Sequence, residues 1–319
     1  MRIRALFLGT PAFSVPCLSA LTQVAEVVGV VCQPDKPVGR GLTLTAPPVK
    51  QKAVELGLPV VQPTKLRTGE FAEWVRAQRA DVALVVAYGR ILPPDVLAGT
   101  PLGFVNVHAS LLPKYRGAAP ITWAVVRGET ETGVTLMQMD AGMDTGPMLA
   151  TWPTPIGPDE TAGELSERLS ELGAQAVREG MPHVESRAYV PKPQDDARAT
   201  TAPMLKKDDG AIDFRKSARE LHDHVRGMSP WPGAFARLGG KTLKVHAARV
   251  AGVTPPSDVE MGEVVMADKD RVLVACGAFR RETVALLRVQ LEGKKPISAG
   301  EWVSGRGVKR GDRFEPKPE

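Results

Sequence analysis

The sequence predicts an α/β protein, a doubly wound parallel sheet followed by a small, basic, OB-like β-barrel. Three observations predict it. Short β-branched apolar runs alternate with helix-periodic segments as far as Val177, and after one more helical stretch, Ala218–Val225, short strand-like runs recur. Between the two patterns lies a Pro-rich polar stretch, Arg187–Pro203, without an apolar period. The charge changes at the same place. The chain has 41 Lys+Arg and 36 Asp+Glu, of which residues 206–319 hold 22 and 16 (net +6) and residues 1–205 hold 19 and 20 (net −1). An α/β domain over 1–186, a linker over 187–205 and a basic domain over 206–319 are therefore expected.

The elements follow in order. Ile3–Leu8 is a β-strand ending in Gly-Thr-Pro, and Val15–Leu21 is helical after a capping Ser14. Val27–Cys32 is a second strand. Val49–Leu56 is a helix stopped by Gly57, Pro59–Val61 a short strand and Phe71–Arg79 an amphipathic helix. Asp81–Ala87 is nearly all apolar, as a central parallel strand covered on both faces must be. Phe104–Val107 and Val134–Met139 are further strands, with Ile121–Val126 helical between them and Glu164–Val177 one long helix after them. Past the break, Ala218–Val225 is a helix. The strands Ala234–Leu238, Leu243–Val250, Gly262–Val265, Val272–Ala275 and Thr283–Val289 have the spacing of a small antiparallel barrel.

Several functions drop out. No run approaches 18 apolar residues, so no membrane span is expected. The apolar stretch Ala5–Leu8 is too short for a signal peptide, and a cytoplasmic protein is expected. Cys17, Cys32 and Cys276 are odd in number and far apart, which argues against disulfides and zinc knuckles. His222 and His224 sit two apart on a predicted helix, point in different directions and read as solvated residues rather than metal ligands. The first strand runs into G-T-P-A-F-S rather than G-x-G-x-x-G, and neither a P-loop nor a G-x-S-x-G elbow occurs.

The stretch FVNVHASLLPKYRGAAPITW carries the chemistry. Asn106 and His108 are two apart on a strand, so they point to one side, at the strand end where such sheets place their sites. About thirty residues on, the next strand ends in DAGMDTG, with Asp144 near its close. A carboxamide can donate to a developing oxyanion, an imidazole can move a proton near neutral pH, and a carboxylate can orient it. The set suits acyl transfer without a nucleophilic side chain.

These segments, with LFLGTPAFSVPCLSAL, QPDKPVGRG, AYGRILP and SPWPGAF, closely resemble the formyltransferases that use 10-formyltetrahydrofolate. The likeness runs over nearly the whole chain and is greatest to the branch that formylates methionyl initiator tRNA. It implies a Rossmann-like catalytic domain and an OB-like second domain. The family's catalytic Asn, His and Asp fall on Asn106, His108 and Asp144. Its folate-contacting segment falls on Ser110, Leu111, Leu112 and Pro113, and a second pocket wall on Gly89, Ile91 and Leu92. Tetrahydrofolate is then the leaving group, initiator methionyl-tRNA the acceptor, no metal is needed and a monomer is expected.

Two segments bear on the acceptor. Gln33–Lys50 is far longer than the usual βα loop of about 2–6 residues. On composition it is a solvated loop or a basic arm. The resemblance makes it a tRNA-engaging arm, with Lys36, Arg40 and Lys50 its cations. Phe13 packs under the first loop or, by resemblance, receives the methionyl side chain. Arg280-Arg281, Lys294-Lys295 and Lys309-Arg310 add charge to the second domain for tracking a phosphate backbone. Sugar-nucleotide formyltransferases share the SLLPKYRG segment but lack the long basic loop. An RNA-binding module without activity leaves the Asn/His/Asp set unexplained.

Overall fold

A computed structural model describes residues 2–39, 43–278 and 281–317. Its elements run β1 (Arg4–Gly9), α1 (Val15–Val24), β2 (Glu26–Val31), β3 (Lys36–Val38), β4 (Thr43–Thr45), α2 (Pro48–Glu55), β5 (Val60–Val61) and α3 (Glu70–Ala77). There follow β6 (Val82–Val86), α4 (Pro94–Leu97), β7 (Phe104–His108), α5 (Pro120–Val126), β8 (Glu131–Gln138), β9 (Met148–Pro155) and α6 (Ala162–Glu185). The last group is α7 (Ala218–Gly227), β10 (Ala234–Leu238), β11 (Lys241–Val250), β12 (Val264–Ala267), β13 (Val272–Cys276), β14 (Glu282–Leu291), β15 (Ile297–Ser298) and α8 (Ala299–Ser304).

The chain divides into two compact units, and both are interleaved in sequence. One comprises residues 1–120, 131–155 and 166–203; the other comprises 121–130, 156–165 and 204–319.

The first unit holds a seven-stranded sheet in the order β5-β2-β1-β6-β7-β8-β9. The pairs from β5 to β7 are parallel, whereas β7·β8 and β8·β9 are antiparallel. The sheet is thus mixed and parallel-dominated rather than wholly parallel. The run VALVV of β6 lies at the centre and is buried throughout, which is why it shows no alternation. Strand β9 is the last in the sheet order, carries Pro153 and Pro155 and alternates in exposure; an edge strand tolerates proline where its outer side needs no ladder donor. One apolar core sets Leu6, Leu8, Val31, Ala83 and Val85 of the sheet against Phe71 and Val75 of α3. Helix α6 is tied to the first βα turn by Ser170 Oγ, which donates to Phe13 O at 2.7 Å, and to β9 by Trp152 Nε1, which donates to Glu179 at 2.7 Å. The Gln33–Lys50 segment contains a short antiparallel hairpin, β3·β4, pairing Pro37 with Leu44.

The second unit is antiparallel, in the order β10-β11-β14-β13-β12, with β15 added against β14. Residues 312–315 stitch its two edges together. Phe314 bridges Leu238 at the end of β10, and Arg313 bridges Glu263 beside β12. Phe314 N donates to Gly262 O, and Glu315 N to Arg237 O. The core is Val245, Val264, Val272, Leu286 and Trp302, with Phe214 and Phe314 in contact at 5.1 Å between ring centres.

Helix α7 corrects one expectation. His222 and His224 are not solvated: each is only 6% exposed. The helix is covered on more than one side. His224 Nε2 donates to Gly210 O, while His222 Nε2 bonds Asp159 at 3.0 Å. Beside them Arg226 Nε donates to the buried Asp223 at 2.8 Å, and Arg226 Nη1 donates to the carbonyls of Gly157 and Glu160. This ion-pair cluster holds residues 157–160 against α7 and explains their membership of the second unit. Burial disfavours the charged imidazole of His224 and pushes its pKa down to about 4. Among the described residues no helix is long and apolar enough to cross a membrane, and no group of three or more His, Cys, Asp or Glu could hold a metal ion.

Candidate functional site

Three of the residues singled out in the sequence meet at the strand ends of the first unit. Asn106 and His108 lie on β7, paired with Met137 and Thr135 of β8, and both are more than nine-tenths buried. Asp144 comes from the loop between β8 and β9. Asn106 Nδ2 donates to Asp144 Oδ1 at 3.4 Å, and His108 Nδ1 lies 3.6 Å from the same oxygen. The other carboxylate oxygen, Oδ2, accepts the backbone N–H of Gly117 at 2.9 Å.

The imidazole tautomer follows from its partners. His108 Nε2 is 2.9 Å from the carbonyl oxygen of Tyr115, which can only accept, so Nε2 carries the hydrogen. Nδ1 is then the nitrogen free to exchange a proton beside Asp144.

The loop geometry is strained where the chemistry-bearing atoms sit. Ala87, Tyr115 and Asp144 have φ of 45°, 63° and 56°, a region costing of order 1 kcal/mol or more for a non-glycine residue. Two glycines allow close approach. A Cβ on Gly146 would lie 1.9 Å from Gln138 O, and one on Gly117 would lie 2.5 Å from Ala202 O. Asp140 braces the loop from its other side, accepting Gly142 N at 3.0 Å and Thr145 Oγ1 at 2.7 Å.

A segment unremarkable in the sequence joins this frame. Residues 192–202, inside the stretch read as a linker, are bonded to both loops. Lys192 exchanges two backbone hydrogen bonds with Met148, and Gln194 Nε2 donates to Asp144 O and Gly146 O at 2.7 and 2.8 Å. Arg116 Nε donates to Gln194 Oε1 at 2.9 Å, and Tyr115 N to Thr200 Oγ1 at 2.9 Å. No local pattern announces these contacts. Arg116 sits in the KYRG motif, but Gln194 lies in a polar run with no period, and only the fold brings it to Asp144.

The segment Ser110–Pro113 is pinned under the same strand. Thr135 Oγ1 donates to Ser110 O at 2.7 Å and accepts from Leu112 N at 3.1 Å, while Ser110 Oγ donates to Lys114 O. After β6, Gly89 turns at φ 78°, Leu92 is buried and Ile91 is exposed. Ile91 and Arg90 border a cleft of about 500 Å³ whose other wall is residues 64–68, including Lys65 and Arg67. The remaining residues are dispersed. Phe13 is half-buried in the first βα turn. Lys36 is exposed on β3, and Lys50 Nζ is held by Asp35 and Gln62 at 2.8–2.9 Å. Arg40 lies outside the described residues, as does Arg280.

Residues 1–181 match the family model described as formyl transferase, and residues 204–307 match that of the formyl transferase C-terminal domain. The chain belongs to the formyl transferase family. Among its relatives, the methionyl-tRNA formyltransferase of Sorangium cellulosum is 57% identical over 97% of this chain and 98% of that protein. That of Myxococcus xanthus is 48% identical over 98% of each. The fold is shared with an N-formyltransferase from Helicobacter canadensis, solved with folinic acid and dTDP-3-aminofucose, at a TM-score of 0.67 and 16% identity over 90% of this chain and 99% of that one. This formyl transferase is therefore an enzyme of one-carbon group transfer. Its Rossmann-like sheet carries the Asn/His/Asp cluster at the strand ends where such folds hold their ligands.

Proposed function

We propose that the chain transfers the formyl group of 10-formyltetrahydrofolate to the α-amino group of initiator methionyl-tRNA, as a cytoplasmic enzyme of translation initiation. The observation that carries this reading is the convergence of Asn106, His108 and Asp144, in a chain 57% identical to a relative named for that reaction. The amine nitrogen attacks the formyl carbon, and a C–N bond forms. The carbonyl electron pair moves onto oxygen, where the Asn106 amide stabilises it, joined by His108 once its Nδ1 has taken the amine's proton. Asp144 orients His108, and the proton lost by the amine passes through this pair to N10 as the C–N10 bond breaks. Tetrahydrofolate leaves.

The pinned 110–113 segment and the Gly89–Leu92 turn suit a flat pterin ring between them. The adjoining cleft with Lys65, Arg67 and Arg90 has the charge to face the carboxylates of a folate. Lys36 and Arg40 on the long loop, and the basic residues of 206–319, would hold phosphates of the tRNA. Lys50, paired with Asp35, would shape the base of that loop. Phe13 would flank the methionyl side chain. A monomer suffices, since every residue invoked belongs to one chain.

Tetrahydrofolate release from 10-formyltetrahydrofolate is the test, with methionyl-tRNA, an amino-sugar nucleotide or no acceptor supplied. Release only with methionyl-tRNA is expected, and release driven by the sugar nucleotide would replace the acceptor. Asp144→Asn is the sharper variant than Asp144→Ala, because Asn tolerates positive φ and can still accept from Gly117 N. It should lose roughly 10²–10⁴-fold in turnover while folding normally. Near-normal turnover by folded Asp144→Asn would remove the proton-handling role.

A further inference from the structure

We infer that Gln194 is a positioning residue for formyl transfer, holding the Asp144 loop in register with the loop that carries Tyr115 and Gly117. This rests on the reading of Asp144 given above. The amide orientation is fixed by its partners. Its nitrogen faces two carbonyl oxygens, Asp144 O at 2.7 Å and Gly146 O at 2.8 Å, which only accept. Its oxygen faces Arg116 Nε at 2.9 Å, which only donates. One side chain therefore spans both loops.

The span matters because each loop sets one side of the cluster. Tyr115 O holds His108 through Nε2, and Gly117 N holds Asp144 through Oδ2. Asp144 itself sits at φ 56°, a conformation its neighbours must enforce. Asp140 secures the side of its loop that carries Gly142 N and the Thr145 hydroxyl, and Gln194 secures the backbone carbonyls of Asp144 and Gly146. Arg116 is fixed in turn by Asp196 at 2.8 Å, and its backbone by Thr200 and Ala202. The carboxylate oxygen near His108 Nδ1 is thus placed by Asn106 of the sheet together with backbone contacts from outside it.

The test compares Gln194→Ala and Gln194→Glu with Asp144→Asn in the full-length protein. Gln194→Glu keeps the acceptor for Arg116 and the side-chain volume but removes both donated hydrogen bonds. Each Gln194 variant should lower kcat by about 10²-fold, the usual cost of a displacement near 1 Å at a reacting group. KM for both substrates should stay within about 3-fold, since no binding contact is removed. A readout independent of activity is hydrogen exchange at the Gly117 amide, which should speed up by about tenfold when its acceptor is released. Wild-type kcat and unchanged Gly117 protection in Gln194→Glu, with Asp144→Asn inactive, would overturn the positioning role and leave the parent reading intact. A fully active Asp144→Asn would overturn the parent reading and this inference with it. A loss of kcat that merely tracks a lowered melting temperature in both variants would assign Gln194 to stability instead.

Discussion

At the scale of single residues, the site is three side chains and the atoms that aim them. Asn106 reaches the cluster because alternate residues of β7 face the same way, so its amide and the His108 ring emerge together from a buried strand. Asn106→Ala should remove a preorganised donor and cost roughly 10²–10³ in kcat, with little change in melting temperature. Steady-state kinetics beside a thermal melt checks it. A comparable loss in KM alone would make Asn106 a binding group. This pair was legible in the sequence, since strand periodicity requires no knowledge of the fold. Asp144 was legible as a candidate from its position near the end of the following strand. Its bond to Gly117 and its brace from Gln194 were not, because contacts between residues 27 and 50 positions apart leave no local pattern.

At the scale of elements, helix α7 shows where composition misleads. ARELHDHVRG is polar enough to read as solvated, yet residues 221–227 are all buried. The charges are accommodated because they meet one another: Asp223 accepts from Arg226 and Arg219, and Arg226 also satisfies two carbonyls. His224 gives this a pH signature. Its folded pKa, about 4, lies below the unfolded value of roughly 6.5, so the unfolded chain binds the proton first. Stability is then complete above about pH 6.5 and falls between about pH 6.5 and 4, by a few kcal/mol at most. Urea melts of the wild type and His224→Gln across that range should show a steeper acid loss in the wild type; parallel curves would place the acid sensitivity elsewhere. Strand β9 and the β3·β4 hairpin were missed for a different reason. Their prolines and exposed positions interrupt the apolar alternation by which a strand is recognised.

At the scale of the whole molecule, the charge asymmetry becomes a binding prediction. The net +6 of residues 206–319 and the cations of the long loop contact phosphates in the proposed complex, so each neutralised phosphate releases counterions. Affinity for methionyl-tRNA should fall by about 10³-fold or more between about 50 and 200 mM salt, while KM for 10-formyltetrahydrofolate changes little. Filter binding over a salt series measures the slope. A flat response would move tRNA recognition away from charge.

The two patterns of elements, the family, and the three polar side chains near the strand ends can all be read from the order of residues. Each is written in short-range features: periodicity of two or 3.6, motif spacing, and charge per segment. Three further matters needed the folded chain. It placed residues 121–130 and 156–165 with the C-terminal unit, closed the barrel edges through 312–315, and laid residues 192–202 across the loops that hold His108 and Asp144. These depend on hydrogen bonds and ion pairs between distant positions. Their free energy is realised only once the chain has brought the partners together, so no window of neighbouring residues contains them.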